Sequence, residues 1–452
     1  MTTRFILDDD LIETDENDSK VLLDFIRETG LKGTKIGCRE GDCGACTVVV
    51  GELKGGEVQY HTCTSCLTSL KKVKNTHVVT IEGLGEAPTQ IQLSMHDEGA
   101  TQCGFCTPGF VMSLTSSSLN NADAIKHLDG NICRCTGYKS IERAARKTQE
   151  IYEPLEGELS RLIEKGFIPS YFITIKQRLE ELQNSDQGTE KGRLVGGGTD
   201  LYVQKRRELE RNQIREVPEK YRYIRQEADS IKIGAATRMT DILEDSQLSE
   251  FLGKDKLRMI ASTQIRNMAT LAGNIVNASP IGDFSIIFLA LEADLKILGE
   301  KGERRVKLED FYRGYKDIDL LEEETITEIS IPWTWNLFNF EKVSKRKMLD
   351  IASVNSCIAL SGDAENIGRV RVSAGGIYAY PLYLKETSEY LSGKEVSTGL
   401  IREALDLLQN EIKPISDVRG SKEYKAMLLR NLLIIHFQEL FPASIDLEVL
   451  LK

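Results

Sequence analysis

Chemistry in this 452-residue sequence concentrates in its thiols: nine of the ten cysteines lie between Cys38 and Cys135, and Cys357 stands alone. The first group reads Gly37-Cys38-Arg39-Glu40-Gly41-Asp42-Cys43-Gly44-Ala45-Cys46. Its spacing, Cys-x4-Cys-x2-Cys with a later cysteine, is the plant-type pattern for a [2Fe–2S] cluster. That chemistry needs four thiolates on two irons, and a glycine-rich loop whose backbone N–H groups approach the sulfurs of a negatively charged centre. On spacing the fourth thiol is Cys63 or Cys66. A structural zinc site is the alternative, but zinc ribbons pair two Cys-x2-Cys knuckles, which the x4 gap fits poorly.

The second group is Gln102-Cys103-Gly104-Phe105-Cys106-Thr107-Pro108-Gly109 followed by Asn131-Ile132-Cys133-Arg134-Cys135-Thr136-Gly137-Tyr138. Cys-x2-Cys with a distant Cys-x-Cys is an uncommon zinc pattern; zinc or a redox dithiol competes with a second cluster. Further on, Gly196-Gly197-Gly198-Thr199-Asp200 follows a predicted strand. Three glycines let backbone N–H groups approach a pyrophosphate, although the Gly-x-Gly-x-x-Gly order is missing and a plain tight turn is the competing reading. The five histidines form no ligand-spaced pair, Cys357 reads as a small buried hydrophobe, and no catalytic nucleophile–base set is assigned to the chain.

These groups need elements to hold them. Arg4–Leu7 and Leu11–Thr14 read as short strands. Ser19 is expected to cap a helix running through Arg27, with Gly30 as its stop. Thr47–Leu53 and Glu57–Thr62 flank Gly55-Gly56 as a hairpin. From about Leu93 the pattern is helical: Thr107-Pro108 starts a helix, Asn121 is expected to cap a second ending at Gly130, and Ser140 starts a third. Ser230–Ala235 and Ile326–Pro332 read as strands, and Lys254–Gly273 largely as a helix meeting a turn. Val370–Tyr378 then reads as a strand, followed by amphipathic helices over Ser397–Glu411 and Tyr424–Leu440. The predicted fold class is multidomain α+β, at roughly 150 residues per domain.

Composition is that of soluble globular protein, 41% hydrophobic and 28% charged, with a net charge of −11 that disfavours a nucleic-acid surface. The basic run from Lys205 to Arg215 is interrupted by glutamates and reads as a solvated helix face. The apolar run Phe284 to Leu291 is far short of the roughly 20 residues of a membrane span. Met1–Leu7 runs into aspartates instead of an apolar signal core. The expectation is a cytoplasmic protein, whose thiols stay reduced.

The motif strings resemble the molybdenum hydroxylase family. By that resemblance residues 1–85 form a β-grasp, plant-ferredoxin-like [2Fe–2S] domain and 86–158 a helical [2Fe–2S] domain. Residues 168–335 form an FAD-binding domain and 336–452 a C-terminal flavoprotein domain. The implied metal ligands are Cys38, Cys43, Cys46 and Cys66, with Cys66 favoured because the family places the fourth ligand directly before a leucine, and then Cys103, Cys106, Cys133 and Cys135. The implied FAD contacts are Leu194, Val195, Gly196, Gly197, Gly198, Thr199, Asp200 and Leu201, then Thr270, Leu271, Ala272, Gly273 and Asn274, with Asp283, Ile326 and Lys342. The layout is similar to the small subunit of bacterial xanthine dehydrogenases. This implies an electron-transfer chain that passes electrons from a large molybdopterin-binding subunit, in a heterotetramer of two small and two large chains, through both clusters to FAD and NAD. The substrates implied are hypoxanthine and xanthine, oxidised to urate.

Two departures stand out. Ile260 replaces the phenylalanine that stacks on the flavin in the animal enzymes. Ser344-Lys345-Arg346-Lys347-Met348-Leu349-Asp350 replaces an acidic NAD loop, leaving only Asp350 acidic. They weaken the case for NAD and keep open a small subunit of an aldehyde or other heterocycle hydroxylase with another acceptor. A zinc-stabilised, non-catalytic interaction protein is the alternative from a different class.

Overall fold

The computed structural model describes residues 2–183 and 192–451. The chain divides into two compact units, Met1–Glu216 with Ser262–Met268, and Val217–Ala261 with Ala269–Lys452. Both combine sheets with helices, so the chain is α+β and multidomain as expected. No described helix is long and apolar enough to cross a membrane.

In the first unit, β1 (Thr3–Leu7), β2 (Asp10–Thr14), β3 (Thr47–Lys54), β4 (Glu57–Thr64) and β5 (His77–Val79) form one sheet in the order β2-β1-β5-β3-β4. β1 and β5 run parallel, and the other pairs antiparallel. Gly55 and Gly56 close the β3–β4 hairpin with φ of +58° and +81°, the left-handed pair that a two-residue turn between twisted strands requires. Successive side chains of a strand point to opposite faces, and β3 uses both. Val48 and Val50 join Phe5, Leu7, Leu22, Phe25 and Ile26 in the core under the helix Leu22–Glu28. Val49 joins Tyr60, Phe110 and Leu114 in the core of the helical portion. One strand thereby ties the two cysteine-bearing portions together.

Two helix starts differ from expectation. The first helix begins at Leu22 with Val21 as its cap; Val21 is held extended by a bridge to Ser69, and the Ser19 hydroxyl binds Asn17 instead, at 2.9 Å. Asn121 caps nothing. Its φ is +45°, and the next turn is the 3₁₀ segment Lys126–Leu128, whose Lys126 amide is taken by the Asp123 carboxylate at 3.1 Å. The helices Thr107–Leu119, with Pro108 in its first turn, and Lys139–Tyr152 lie within one residue of their expected starts. The unit also contains β6 (Arg193–Val195) paired parallel with β7 (Ile214–Glu216).

The stretch expected as one helix over Lys254–Gly273 is broken into Lys254–Leu257, Thr263–Arg266 and Leu271–Asn277. Ala261 takes a left-handed φ of +54°, and the Ser262 and Thr270 hydroxyls cap the later two pieces by accepting from the Ile265 and Gly273 amides. The middle piece belongs to the first unit. There Asp129 accepts from the Thr263 amide at 2.8 Å and pairs with Arg266 at 2.6 Å, both side chains only 5% exposed. Asn267 donates to Thr62 O at 2.9 Å, and the Met268 sulfur accepts from Thr64 and Thr68.

In the second unit, β8 (Ile224–Gln226), β9 (Ser230–Gly234), β10 (Asp294–Gly299), β11 (Gly302–Lys307) and β14 (Thr325–Pro332) form an antiparallel sheet ordered β11-β10-β14-β9-β8, and β12 (Tyr312–Gly314) pairs with β13 (Asp317–Ile318). A second antiparallel sheet runs β15 (Leu337–Val343), β16 (Val354–Gly362), β17 (Ile367–Gly375) and β18 (Leu382–Tyr383). Its core holds Val354, Ile358, Leu360 and Val372 with residues of the helices Lys385–Leu391, Thr398–Glu411 and Lys422–Leu440. Ser397 and Ser421 cap the last two through the Leu400 and Tyr424 amides.

Candidate iron–sulfur and flavin sites

The first cysteine loop joins the helix Leu22–Glu28 to β3. Arg39, Gly41 and Gly44 take φ of +60°, +80° and +65°, so the loop curls back on itself. A Cβ at Gly37 would stand 2.5 Å from the Cys43 sulfur; only glycine lets the backbone come that near. The Cys38 amide donates to Cys43 Sγ at 3.4 Å and the Glu40 amide to Cys38 Sγ at 3.3 Å. Cys66 sits in the 3₁₀ turn Ser65–Leu67 after β4, held to the loop by the Ser65 hydroxyl on Cys46 O at 2.7 Å.

The fold brings these four thiols together as two hydrogen-bonded pairs. The bond with Cys43 draws Cys38 down to about 5, and the same bond pushes Cys43 up. Between Cys46 and Cys66 the mutual bond lowers the first and raises the second. The charge on Cys38 acts on both Cys46 and Cys66, which ties the pairs into one group. Cys63 lies in β4 opposite Val48 and accepts from the Thr68 hydroxyl at 3.5 Å.

The second group is built the same way. Cys106 is the residue before the helix Thr107–Leu119, and Cys133 and Cys135 precede the helix Lys139–Tyr152. Cys103 and Cys135 sulfurs stand 3.5 Å apart, and Cys106 bonds Cys133. Burial, then the bond with Cys133, pushes Cys106 up to about 12. Burial works against the Cys133 thiolate, but bonds from the Thr136 hydroxyl and amide and the Cys135 amide outweigh it and lower Cys133. These two sets of four thiols, backed by N–H donors to sulfur, carry the donor chemistry that a [2Fe–2S] cluster needs, and each set would hold one. The two loops are bonded to each other: the Ile132 amide donates to Cys43 O at 3.0 Å.

The segments expected to hold FAD lie in both units. In the first, Leu194 and Val195 are in β6, and Gly198 takes φ +74° as the chain turns into the helix Leu201–Gln204. The Asp200 carboxylate accepts from Gln204 at 2.6 Å, and the Tyr202 hydroxyl anchors this segment by donating to Ser19 O at 2.8 Å. In the second, Thr270 caps the helix carrying Leu271, Ala272, Gly273 and Asn274, and Asn274 accepts from Ser285. Ile326, 3% exposed, lies in β14 opposite Ile297. Asp283 pairs with Lys342 at 2.8 Å, and Lys342, its side chain 2% exposed, also donates to Met259 O. Ile260, the residue after that acceptor, is 3% exposed.

Sequence reasoning missed Asn355, which lies opposite Lys342 in the adjacent strand and donates to Asp283 Oδ1 at 2.5 Å. Its signal was available as a lone amide in the apolar run from Val354 to Leu360. Lys342 and Asn355 between them engage both carboxylate oxygens, so Asp283 presents a fixed, charge-balanced anion.

Known proteins match along most of the chain. Residues 5–72 match the family described as 2Fe-2S iron-sulfur cluster binding domain, and 80–146 the [2Fe-2S] binding domain family. Residues 170–334 match the FAD binding domain in molybdopterin dehydrogenase, and 340–440 the CO dehydrogenase flavoprotein C-terminal domain. Xanthine dehydrogenase 1 of Arabidopsis thaliana is 28% identical over 88% of this chain and 36% of its own length. Aldehyde oxidase 1 of Bos taurus is 26% identical over 93% of this chain and 38% of its own. The chain thus spans little more than a third of these relatives. A solved carbon monoxide dehydrogenase structure from Hydrogenophaga pseudoflava superposes with a TM-score of 0.51 at 22% identity, over 55% of this chain and 89% of that one; it shows shared fold.

The domain set is that of an iron–sulfur flavoprotein. The four matched domains are those of the small FAD/iron–sulfur subunit of molybdenum hydroxylases.

Proposed function

We propose that this chain is the electron-transfer subunit of a xanthine dehydrogenase. Cys38, Cys43, Cys46 and Cys66 hold one cluster, and Cys103, Cys106, Cys133 and Cys135 the other. Leu194–Leu201, Thr270–Asn274, Asp283, Ile326 and Lys342 hold FAD. Clusters supply one-electron steps and the flavin a two-electron step that ends in hydride transfer to NAD. The observation that carries this reading is that two paired four-thiol groups and the flavin-family domains share one chain. The chain's own groups do the positioning: backbone amides balance sulfur charge, and Lys342 with Asn355 orients Asp283. Substrate oxidation falls to a large molybdopterin-binding subunit, two copies of which pair with two of this chain in the cytoplasm.

A second reading, a small subunit of an aldehyde or heterocycle hydroxylase with another acceptor, draws support from Ile260 and from Lys345, Arg346 and Lys347, all exposed where an acidic NAD loop is absent. Co-purification from the native host decides the first point. A large molybdenum-containing chain with purine-oxidising activity is expected, and its absence overturns the proposal. Anaerobic NADH titration decides the acceptor: a flavin that NADH does not bleach favours the second reading. Zinc without iron sinks both.

A further inference from the structure

The bond between Ile132 and Cys43 has a neighbour. The Asn131 side-chain amide donates to Gly44 O at 3.1 Å, so two consecutive residues of one cysteine loop grip two consecutive carbonyls of the other. This grip works only if Asn131 turns its nitrogen toward Gly44. Two donors enforce that orientation by occupying its oxygen: the Ser113 hydroxyl at 2.7 Å and Gln264 Nε2 at 3.2 Å. Gln264 also donates to Ser113 Oγ at 3.2 Å, and both residues are fully buried. Three glycines leave no room for a looser arrangement. A Cβ at Gly109 would sit 2.2 Å from Gly44 O, one at Gly44 2.3 Å from Gly130 O, and one at Gly130 1.7 Å from Gln264 Oε1.

That Gln264 oxygen has no hydrogen-bond partner among the described residues, a burial cost that an apolar side chain would not carry. Its residue is delivered by the Ser262–Met268 piece, which the flavin-family segment 170–334 contributes to the first unit. The Ile265 side chain of that piece lies 2.8 Å from where a Gly41 Cβ would be, so it backs the first cysteine loop as well.

We propose that Gln264 is a positioning residue for electron exchange between the two cysteine-bound centres: by fixing the Asn131 amide it holds the two ligand loops at bonding distance. The inference rests on the reading that both groups hold clusters. One electron leaves one cluster, which is oxidised, and enters the other, which is reduced; no bond forms and no proton moves. One path from Cys43 Sγ to Cys133 Sγ crosses a single hydrogen bond, Ile132 N–H to Cys43 O, and is covalent elsewhere.

The test uses the full chain with its partner, as wild type, Gln264→Met, Gln264→Glu and Ser113→Ala. Methionine keeps the volume without a donor, and an ionised glutamate keeps the shape without one. Iron and flavin content are measured first, then the low-temperature electron paramagnetic resonance spectrum of dithionite-reduced protein. Expected are unchanged iron and flavin, with the spin–spin splitting between clusters lost in both Gln264 variants and reduced in Ser113→Ala. An unchanged splitting in Gln264→Met overturns the inference. Loss of iron from all three variants overturns it too, since the network then serves cluster retention. Wild-type protein free of iron is a separate failure, that of the cluster reading itself.

Discussion

Replacing Arg266 by methionine leaves the Asp129 carboxylate buried without its cation. Removing one member of a buried ion pair typically costs about 3–5 kcal/mol. Here Asp129 keeps the Thr263 amide at 2.8 Å, a bond to a charged group worth about 1.5–3 kcal/mol, which places the expected loss near the low end, about 3 kcal/mol. Asp129→Asn removes the carboxylate from the guanidinium, which keeps the Thr263 hydroxyl at 2.8 Å; a loss of the same sign follows. The double variant Arg266→Met/Asp129→Asn has no stranded charge and falls within about 1 kcal/mol of wild type, a coupling of several kcal/mol. The chain supplies separate probes for its units. Both of its tryptophans, Trp333 and Trp335, lie in the second unit, so their fluorescence follows that unit in guanidinium, while visible circular dichroism of the clusters follows the first. The single variants shift the cluster transition and leave the tryptophan transition in place. Additive losses in the double variant, or equal shifts of both probes, refute the reasoning.

Three further outcomes are expected. Asp8, whose carboxyl burial raises to about 6, contributes stability that is complete below the ordinary pKa of 3.8 and lost as pH rises through 6. Asp8→Asn keeps the Thr80 amide bond to its remaining oxygen, turns the Thr80 hydroxyl from donor to acceptor of the new NH2, and suits φ +56°, so denaturation should show a gain of up to about 3 kcal/mol at pH 7.5 that vanishes at pH 4. Cys66→Ala should cost one cluster, halving iron by colorimetric assay, while Cys63→Ala retains both; equal iron in the two would refute the assignment. Lys342→Met removes the cation paired with Asp283, leaving the Asn355 bond in place, and should weaken FAD retention about tenfold or more, read as flavin fluorescence released on gel filtration.

The parts legible in the sequence are those encoded locally. Cys38, Cys43 and Cys46 announce themselves because one loop must deliver all three, and Gly55-Gly56 because only glycine relaxes into that turn. The Lys254–Gly273 break was hidden: apolar periodicity runs through it, and Ser262 and Thr270 read as ordinary helix residues until their hydroxyls are seen capping. Ser19 and Asn121 failed for the complementary reason, since good capping residues were used elsewhere. Asn131, Gln264 and Asp129 act across more than a hundred residues of sequence, where no spacing rule reaches.

The Ser262–Met268 insertion also sets a timetable for synthesis. Met268 lies 52 residues beyond Glu216, and a ribosome adding about 5–20 residues per second needs roughly 3–10 s to cover that stretch. During that interval the nascent N-terminal unit carries every one of its cysteines but lacks the arginine that neutralises Asp129. For those seconds the thiols of the first unit are already made while its last seven residues have yet to arrive.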